Sequence, residues 1–563
     1  MLHRSGLLRQ AGLSKEDLER LVEIPPDPKM GDFAFPCFSL SKALRKAPNI
    51  IASELAAQVS PEGIISRVEA MGPYLNFFAD RARVTEKAVG AVLSKGAEYG
   101  RGRPKKEKVM IEYSQANTHK AFHVGHLRGT SIGESLARIL KFSGYSVLQV
   151  NYQGDTGAHV AKWLWCYLKN HKGEKPPKGG KGKWVANIYV EAVKLLAESP
   201  AFSDEVNKVN YSLEHGDDKE LVKLWKESRK WSLDEFDGIY KDLGAHFDHF
   251  FFEREMEKPG EQIVRQMLKD GVAQESEGAI IMDLEECKLG KWVLLRKDGT
   301  TLYSAKDLAL ADKKFREFHI DRSIYVVGNA QSLHLQQLFR TLELIGFKQA
   351  KDCHHLSFEE VRLPSGKMSS RTGVNILYSE MKAEIFDYTS EETRKRHPDW
   401  SAAKLEKAVR GIAVAALKFD MLKIDHNKPI VFDTKQACDF EGETGPYVQY
   451  AHARICSIFR QAGKWKAKEG FKPHYSNEKE FELAKLLSGY PEIVAESAEK
   501  YDPAIVARYA LKVAQTFSGF YTECPVLKAD EKERESRLML SEAARMVLEG
   551  ALGLLGIDAP EEM

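Results

Sequence analysis

The run from Glu112 to Leu127, EYSQANTHKAFHVGHL, constrains the fold of this chain more than any other segment. A mostly β-branched apolar stretch (Val109, Met110, Ile111) precedes it, and apolar residues at helical spacing (Ile132, Leu136, Ile139, Leu140) follow it. That order predicts a strand, a polar turn and the opening turn of a helix carrying His123 and His126. Two histidines three apart share a helical face, and Gly125 between them leaves room above the backbone. Unpaired N–H groups and the positive end of the helix dipole point the same way, towards an anion. A nucleotide with its ring over Gly125 and its phosphates at the two imidazoles fits that geometry. With 17 histidines and 41 glycines, His-x-Gly-His arises by chance in roughly 4% of such chains. The pair decides little by itself; its place between a strand and a helix decides more.

The chain around it reads as a doubly wound α/β fold. Ser146 to Asn151 predicts a second strand, ending in the polar, Gly-rich turn NYQGDTG (Asn151 to Gly157). Such a turn at a strand's carboxyl end is how this architecture builds a ligand crevice. Neither a GxGxxG nor a Walker A sequence is present, so phosphates are held by some other device. From about 168 to 290 the character changes to a Lys/Gly/Pro loop (Lys172 to Lys183), charged helices and an apolar strand at Ile280 to Met282, which reads as an insertion. The lysines of that loop are more often a solvated surface than an RNA contact, though the two are compatible. A hairpin from Trp292 to Tyr303, turning at Asp298-Gly299, resumes the fold. A helix from Tyr303 and a strand from Ile324 to Val327 follow. Tyr303 and Asp307 lie four apart on one helical face, and Gln331 falls just past the strand's carboxyl end. Arg362 to Gly373 (RLPSGKMSSRTG) is a Gly/Ser-rich loop carrying Lys367 and Arg371, the kind that brings positive charge onto a departing phosphate.

Both flanks differ in kind. Residues 1–104 mix helical patterns with short strands, of which Gly72 to Phe78 alternates Tyr74, Asn76 and Phe78 on one face. An aromatic beside an amide suits an unpaired base; an ordinary strand with one polar residue fits as well. Gly100 to Lys108 (GRGRPKKEK) is a linker by composition. It also resembles a minor-groove AT-hook, but the copy is single and directly precedes a buried strand. Beyond 400 the helical segments Ala402 to Leu422, Tyr447 to Phe459, Phe481 to Ala495, Ala504 to Tyr521 and Arg537 to Leu555 predict a bundle. The expectation is therefore an N-terminal α+β domain (1–104), an α/β Rossmann-like catalytic domain (105–400) with a connective insertion at about 168–290, and a C-terminal all-α helical bundle (401–563).

Composition narrows the setting. The net charge is +2, so a nucleic-acid partner must meet local basic faces. No apolar run approaches a membrane span, and the first residues lack an export-signal core. Seven scattered cysteines without a Cys-x-x-Cys pair argue for reduced thiols in the cytoplasm and against structural zinc. Cys353 beside His354 and His355 makes no metal site, because adjacent strand residues face opposite ways.

The motifs HVGH (123–126) and KMSSR (367–371) resemble the HIGH and KMSKS signatures of class I aminoacyl-tRNA synthetases. The finer pattern is similar to the arginyl-tRNA synthetase family: Glu112 to Asn117, GDTG at 154–157, Tyr303-x-x-x-Asp307, Gln331-x-x-His334, TGPYVQYAHARICSI (Thr444 to Ile458) and the closing Pro560 to Met563. The resemblance implies a tRNA-elbow domain, a Rossmann catalytic domain and an anticodon-binding domain, in the order drawn above. It implies ATP-dependent ligation of L-arginine to tRNA(Arg) through an arginyl-adenylate. His123, His126 and Lys367 would be catalytic; His123, Gly125, His126, Lys367, Met368 and Ser369 would bind ATP. Arginine would lie on Glu112, Asn117, Tyr303, Asp307 and Gln331, and a tRNA base on Tyr74 and Asn76. ATP with its Mg²⁺ would be the cofactor, with no dedicated metal ligands in the protein. The protein would be a cytoplasmic monomer whose partners are tRNA(Arg) and L-arginine, with neither DNA nor membrane. KMSSR departs from the signature: Ser370 replaces the second lysine, and Arg371 comes one place later. Lys120, three residues before His123, is a further catalytic candidate, since many members with this gap carry a lysine there. The alternatives are a class I synthetase of another specificity and a non-catalytic tRNA-binding relative.

Overall fold

The apolar run before the histidine turn forms the middle strand of a five-stranded parallel sheet. The computed structural model describes residues 6–362, 364, 377–467 and 471–563. Two compact units account for the chain. One holds Met1–Ala97, Ile458–Gly489 and Gln515–Met546, the other Glu98–Ser457, Tyr490–Ala514 and Val547–Met563. The helical C-terminal third is shared between them.

In the first unit an antiparallel sheet of order β1-β3-β2 is formed by β1 (Phe33–Pro36), β2 (Ile65–Met71) and β3 (Tyr74–Ala79). Buried Phe35, Leu75 and Phe77 meet Ile51, Ala52 and Leu55 of the helix Pro48–Gln58. The helix Arg81–Lys95 packs on Glu478–Ser488, where Arg81 pairs with Glu478 and its guanidinium lies 5.2 Å from the Phe481 ring. One helix was expected over Phe481 to Ala495, but the chain forms two, Glu478–Ser488 and Tyr490–Lys500. Pro491 explains the break, because its ring disfavours a continuing helix and suits the first turn of a new one.

The second unit carries β4 (Lys108–Glu112), β5 (Ser146–Gln153), β6 (His249–Phe252), β7 (Gln274–Ser276), β8 (Ala279–Asp283), β9 (Lys291–Leu295), β10 (Arg322–Gly328) and β11 (Cys353–Phe358). The parallel sheet runs β11-β10-β4-β5-β6. The chain winds from β4 outwards through β5 to β6, then returns to the other side of β4 with β10. The carboxyl ends of β4 and β10 therefore flank a topological switch point, where open α/β sheets bind their ligands. Over the sheet lies the helix Val124–Phe142, burying Leu127, Ile132, Leu136, Ile139 and Leu140. It approaches so closely that a Cβ on Gly133 would fall 2.2 Å from the Tyr113 ring.

Between β5 and β6 four helices (Ala158–Asn170, Lys181–Glu198, Phe202–His215, Lys219–Leu243) gather a core of their own around Trp163, Tyr167, Trp225 and Trp231. The interval 168–290 is not one excursion, because β6 pairs in parallel with β5 inside it. Its sequence, His-Phe-Phe-Phe, is a short edge strand of which only Phe251 is buried, and three aromatics in a row show no period-two alternation. The expected hairpin from Trp292 to Tyr303 is also reduced. β9 pairs with β8 instead, and only a Leu295–Thr301 bridge closes around Asp298-Gly299. Buried Trp292 and Leu294 join Ile280 and Met282 in one core, which fixes that choice. The GRGRPKK strap lies along the end of the helix Val124–Phe142: Gly102 N–H donates to Phe142 O and Lys105 N–H to Gly144 O. Among the described residues no helix is long and apolar enough to cross a membrane.

Candidate active site

His123 occupies the N-cap of the helix Val124–Phe142. The Gly125 N–H donates to His123 Nδ1 (3.1 Å), and the N–H of His123 donates to His126 Nδ1 (3.2 Å). Each Nδ1 is an acceptor, so each neutral ring carries its proton on Nε2. The rings stack with centroids 3.8 Å apart. Burial, then the charge of Lys120, pulls His123 down to about 4. Burial, then His123 and Lys120, holds His126 well below the usual imidazole value. At neutral pH the pair is thus two uncharged Nε2–H donors at a helix N-terminus, a place suited to phosphate. Lys120 is half-buried; burial and Lys162 pull its ammonium down while Glu253 opposes them.

The polar turn before the pair is fastened from below. Thr118 donates to Gly154 O through its N–H (2.9 Å) and its hydroxyl (3.1 Å), and Gln115 N–H donates to Asn151 Oδ1. His119, buried and at φ 61°, hydrogen-bonds Ser228 Oγ at 2.8 Å and Thr118 Oγ1 at 3.0 Å, while its N–H donates to Ser232 Oγ. Burial pulls this histidine down to about 3, so it too is neutral. Gly154 lets Asn117 rest on the GDTG turn, since a Cβ there would fall 2.1 Å from Asn117 Oδ1. Fully buried Arg128 donates to the carbonyls of Glu359 and Lys428, tying the histidine helix to two further segments.

Beside the pair lies a strongly acidic pocket. The buried Tyr152 hydroxyl has no hydrogen-bond partner among the described residues. Burial, then the charges of Asp307, Glu253, Glu112 and Asp155, pushes it well above the ordinary phenol value. Four carboxylates around one hydroxyl favour a cationic ligand. Three are partly compensated: Glu112 pairs with buried Lys314 at 2.6 Å, Glu253 with Lys306 at 3.1 Å and Asp155 with Arg229 at 3.1 Å. Burial pulls Lys306 down, but Glu253 and Glu257 outweigh it and hold the ammonium above its usual value. Asp307 meets His334 Nε2 at 2.6 Å, and the Tyr303 ring stands edge-on to that imidazole at 4.6 Å.

The structure thus brings Tyr303 and Asp307 together, with Glu112 and Asp307 converging on Tyr152. Tyr303 is 54% exposed, and Gln331 is exposed in the turn Asn329–Gln331, just ahead of the helix that carries His334. Tyr152 and Glu253 were not singled out from the sequence, and His334 entered only as part of the Gln331-x-x-His334 motif, with no role assigned. Tyr152 had a signal, its place in NYQGDTG; Glu253 fell in a stretch read as insertion. Lys367, Met368, Ser369, Ser370 and Arg371 lie outside the described residues. Beyond them, Leu377 bridges to His123 and Tyr378 N–H donates to Phe122 O. In the first unit Asn76 is 3% exposed with its Oδ1 unpartnered among the described residues, and half-buried Tyr74 meets the edge of exposed Phe38 at 5.6 Å.

Comparison with known proteins follows the same lines. The family model described as tRNA synthetases class I (R), catalytic domain, matches residues 88–434. The DALR anticodon binding domain matches 448–563, and the arginyl tRNA synthetase N terminal domain matches 5–79. The arginine–tRNA ligase of Clostridium perfringens (strain 13 / Type A) is 40% identical over 555 residues, covering 98% of this chain and 97% of that relative. The arginine–tRNA ligase of Bdellovibrio bacteriovorus is 39% identical over 562 residues, covering 98% and 95%. Among solved structures, Thermus thermophilus arginyl-tRNA synthetase matches with a TM-score of 0.79 at 29% identity, over 96% of each chain.

Proposed function

The chain belongs to the class I arginyl-tRNA synthetases and is an arginine–tRNA ligase, and from that premise we propose how its residues share the reaction. An oxygen of the arginine carboxylate attacks the α-phosphorus of ATP, and the bond to the bridging β-oxygen breaks. Arginyl-adenylate and diphosphate result. The terminal ribose of tRNA(Arg) then takes the arginyl group and AMP leaves. In the first step negative charge builds on the α-phosphate. His123 and His126, as neutral Nε2–H donors, stabilise it together with the helix N-terminus, Lys120 and Lys367. Preorganised donors of this kind are worth roughly 10²–10³ in rate each. Gly125 gives the adenine room, and Met368 and Ser369 contribute to ATP binding.

The arginine guanidinium enters the acidic pocket, with Asp307 its charged acceptor, Tyr303 and Gln331 orienting the fork, and Glu112 and Asn117 on the amino-acid end. Mg²⁺ arrives with ATP, riding on the nucleotide's phosphate oxygens. Tyr74 and Asn76 receive a base at the tRNA elbow. The division at 1–104, 105–400 and 401–563 separates elbow contact, catalysis and anticodon contact. The protein acts as a cytoplasmic monomer, without DNA or membrane. The observation that carries the reading is the pair of Nδ1 atoms held by backbone N–H groups, which fixes both Nε2 donors in advance. Pyrophosphate exchange with each of the twenty amino acids, with and without tRNA, tests it: exchange confined to arginine is expected, and exchange with another amino acid overturns the specificity.

A further inference from the structure

We propose that Cys166, His171 and Glu191 form a site for a divalent transition metal, with Zn²⁺ the ion that fits, at the base of the Lys/Gly/Pro loop. The helix Ala158–Asn170 delivers Cys166, and His171 follows at its end. The helix Lys181–Glu198 brings Glu191 alongside. One ligand atom from each, the sulfur, a ring nitrogen and a carboxylate oxygen, lie within 4.8 Å of one another. Thiolate, imidazole and carboxylate are zinc's protein ligands, and three of them leave a fourth position for water.

The surroundings also match a metal site. Metal-bound histidines use their second ring nitrogen on a carboxylate, which fixes the tautomer and frees the other nitrogen for the ion. His171 does this: Nδ1 meets Glu174 at 3.1 Å while Nε2 faces Glu191 at 2.8 Å. Glu191 is oriented in turn, because Asn170 Nδ2 donates to its other oxygen at 2.6 Å. An ion pair at the surface contributes little and needs no third group. Here a fully buried thiol donates to the same carboxylate. With Zn–N and Zn–O bonds of ~2.0–2.2 Å, Nε2 and Oε2 need to part by about half an ångström to admit the ion. The thiol's proton and the proton shared between His171 Nε2 and Glu191 both pass to solvent as the thiolate and imidazole ligate. Cysteine counting argued against zinc because these ligands come from different elements, and spacing does not show that.

The site has a consequence for the enzyme. Two residues before Glu191, the Tyr189 ring lies 5.2 Å from Lys120 Nζ. A metal here clamps the helix that flanks the turn before His123, and closes the loop between His171 and that helix.

The test uses the full-length protein, stripped with chelator and titrated with Co²⁺, then with Zn²⁺ in competition. One equivalent of Co²⁺ is expected to give a thiolate-to-cobalt charge-transfer band that Zn²⁺ abolishes. Cys166→Ser should remove the band, and His171→Gln should remove stoichiometric binding. Glu174→Gln should weaken affinity roughly 10–100-fold, the scale for a lost outer partner. Should Cys166→Ser fail to fold, His171→Gln and Glu191→Gln, at part-exposed positions, decide the matter. Absence of the band with the intact protein overturns the proposal, as does a band of unchanged affinity in His171→Gln, which would place the metal elsewhere.

Discussion

The Nε2 atom of His334 lies 2.6 Å from a carboxylate oxygen of Asp307. Two helices thereby hold one oxygen of the acid and leave the other as an acceptor. Hydrogen bonds to charged groups are worth ~1.5–3 kcal/mol, so Asp307→Asn is expected to raise the arginine KM at least about tenfold. His334→Ala keeps the charge but frees the carboxylate, and should raise KM less than Asp307→Asn does. Pyrophosphate exchange across arginine concentrations, with ATP saturating, measures both. An unchanged KM in Asp307→Asn removes Asp307 from the pocket.

The buried histidines set a pH dependence. His123 is depressed to about 4 and His119 to about 3. Below the unfolded value of 6.5 the unfolded chain takes up protons that these folded rings refuse. Their contribution is therefore full above 6.5 and lost as pH falls towards the folded values. Asp155, raised by burial to about 6, works in the opposite sense over part of that window, so a difference is the cleaner measurement. The stability of wild type minus that of His119→Gln should rise by up to ~1.4 kcal/mol per pH unit between about 3 and 6.5, and be flat above. Urea titrations across pH read this. A flat difference throughout means His119 takes up its proton over the same pH range folded as unfolded.

Much of this site was legible because local chemistry and fold agree over Glu112 to Leu127, where strand, turn and helix cap are all written in one short run. Tyr303 and Asp307 were legible for a similar reason, four residues apart on one helix. Tyr152, Glu253 and His334 reach the same pocket from three separate elements, and no local pattern announces a meeting of that kind. β6 was lost inside an insertion because three phenylalanines in a row carry no periodicity. The pairing of β9 was misread because the turn at Asp298-Gly299 suggested a hairpin, while a shared core with β8 decided the partner.

At the other end of the chain, Asn76 offers a buried carbonyl oxygen that nothing among the described residues satisfies. Leaving such a group unpaired costs ~1–3 kcal/mol, so Asn76→Ala should leave the melting temperature unchanged or slightly raised. If a base at the tRNA elbow supplies the missing donor, the same variant should lower kcat/KM for tRNA roughly three- to tenfold, the range for one neutral hydrogen bond. Aminoacylation across tRNA concentrations, with a thermal melt beside it, separates the two effects. A fall in melting temperature with unaltered tRNA kinetics would make Asn76 a packing residue only.

The last prediction starts from the missing lysine at Ser370. A transition state with charge spread over three phosphates forms poorly when one cation is absent. Arg371, one place later in the sequence, is one candidate replacement and Lys120 the other. Lys120 lies in the turn before His123, and its charge is one cause of the depression of both His123 and His126. Burial pulls its ammonium down, which weakens its hydration and strengthens its pull on an arriving phosphate. Lys120→Ala is therefore expected to lower kcat for activation by roughly 10²-fold or more, the scale of one preorganised electrostatic contact. Ser370→Lys should change little alone yet partly restore Lys120→Ala, because the two positions serve the same phosphates. That non-additivity is the diagnostic, since independent sites would add. A silent Lys120→Ala, or a double variant as poor as the single one, ends the compensation argument and moves attention to Arg371.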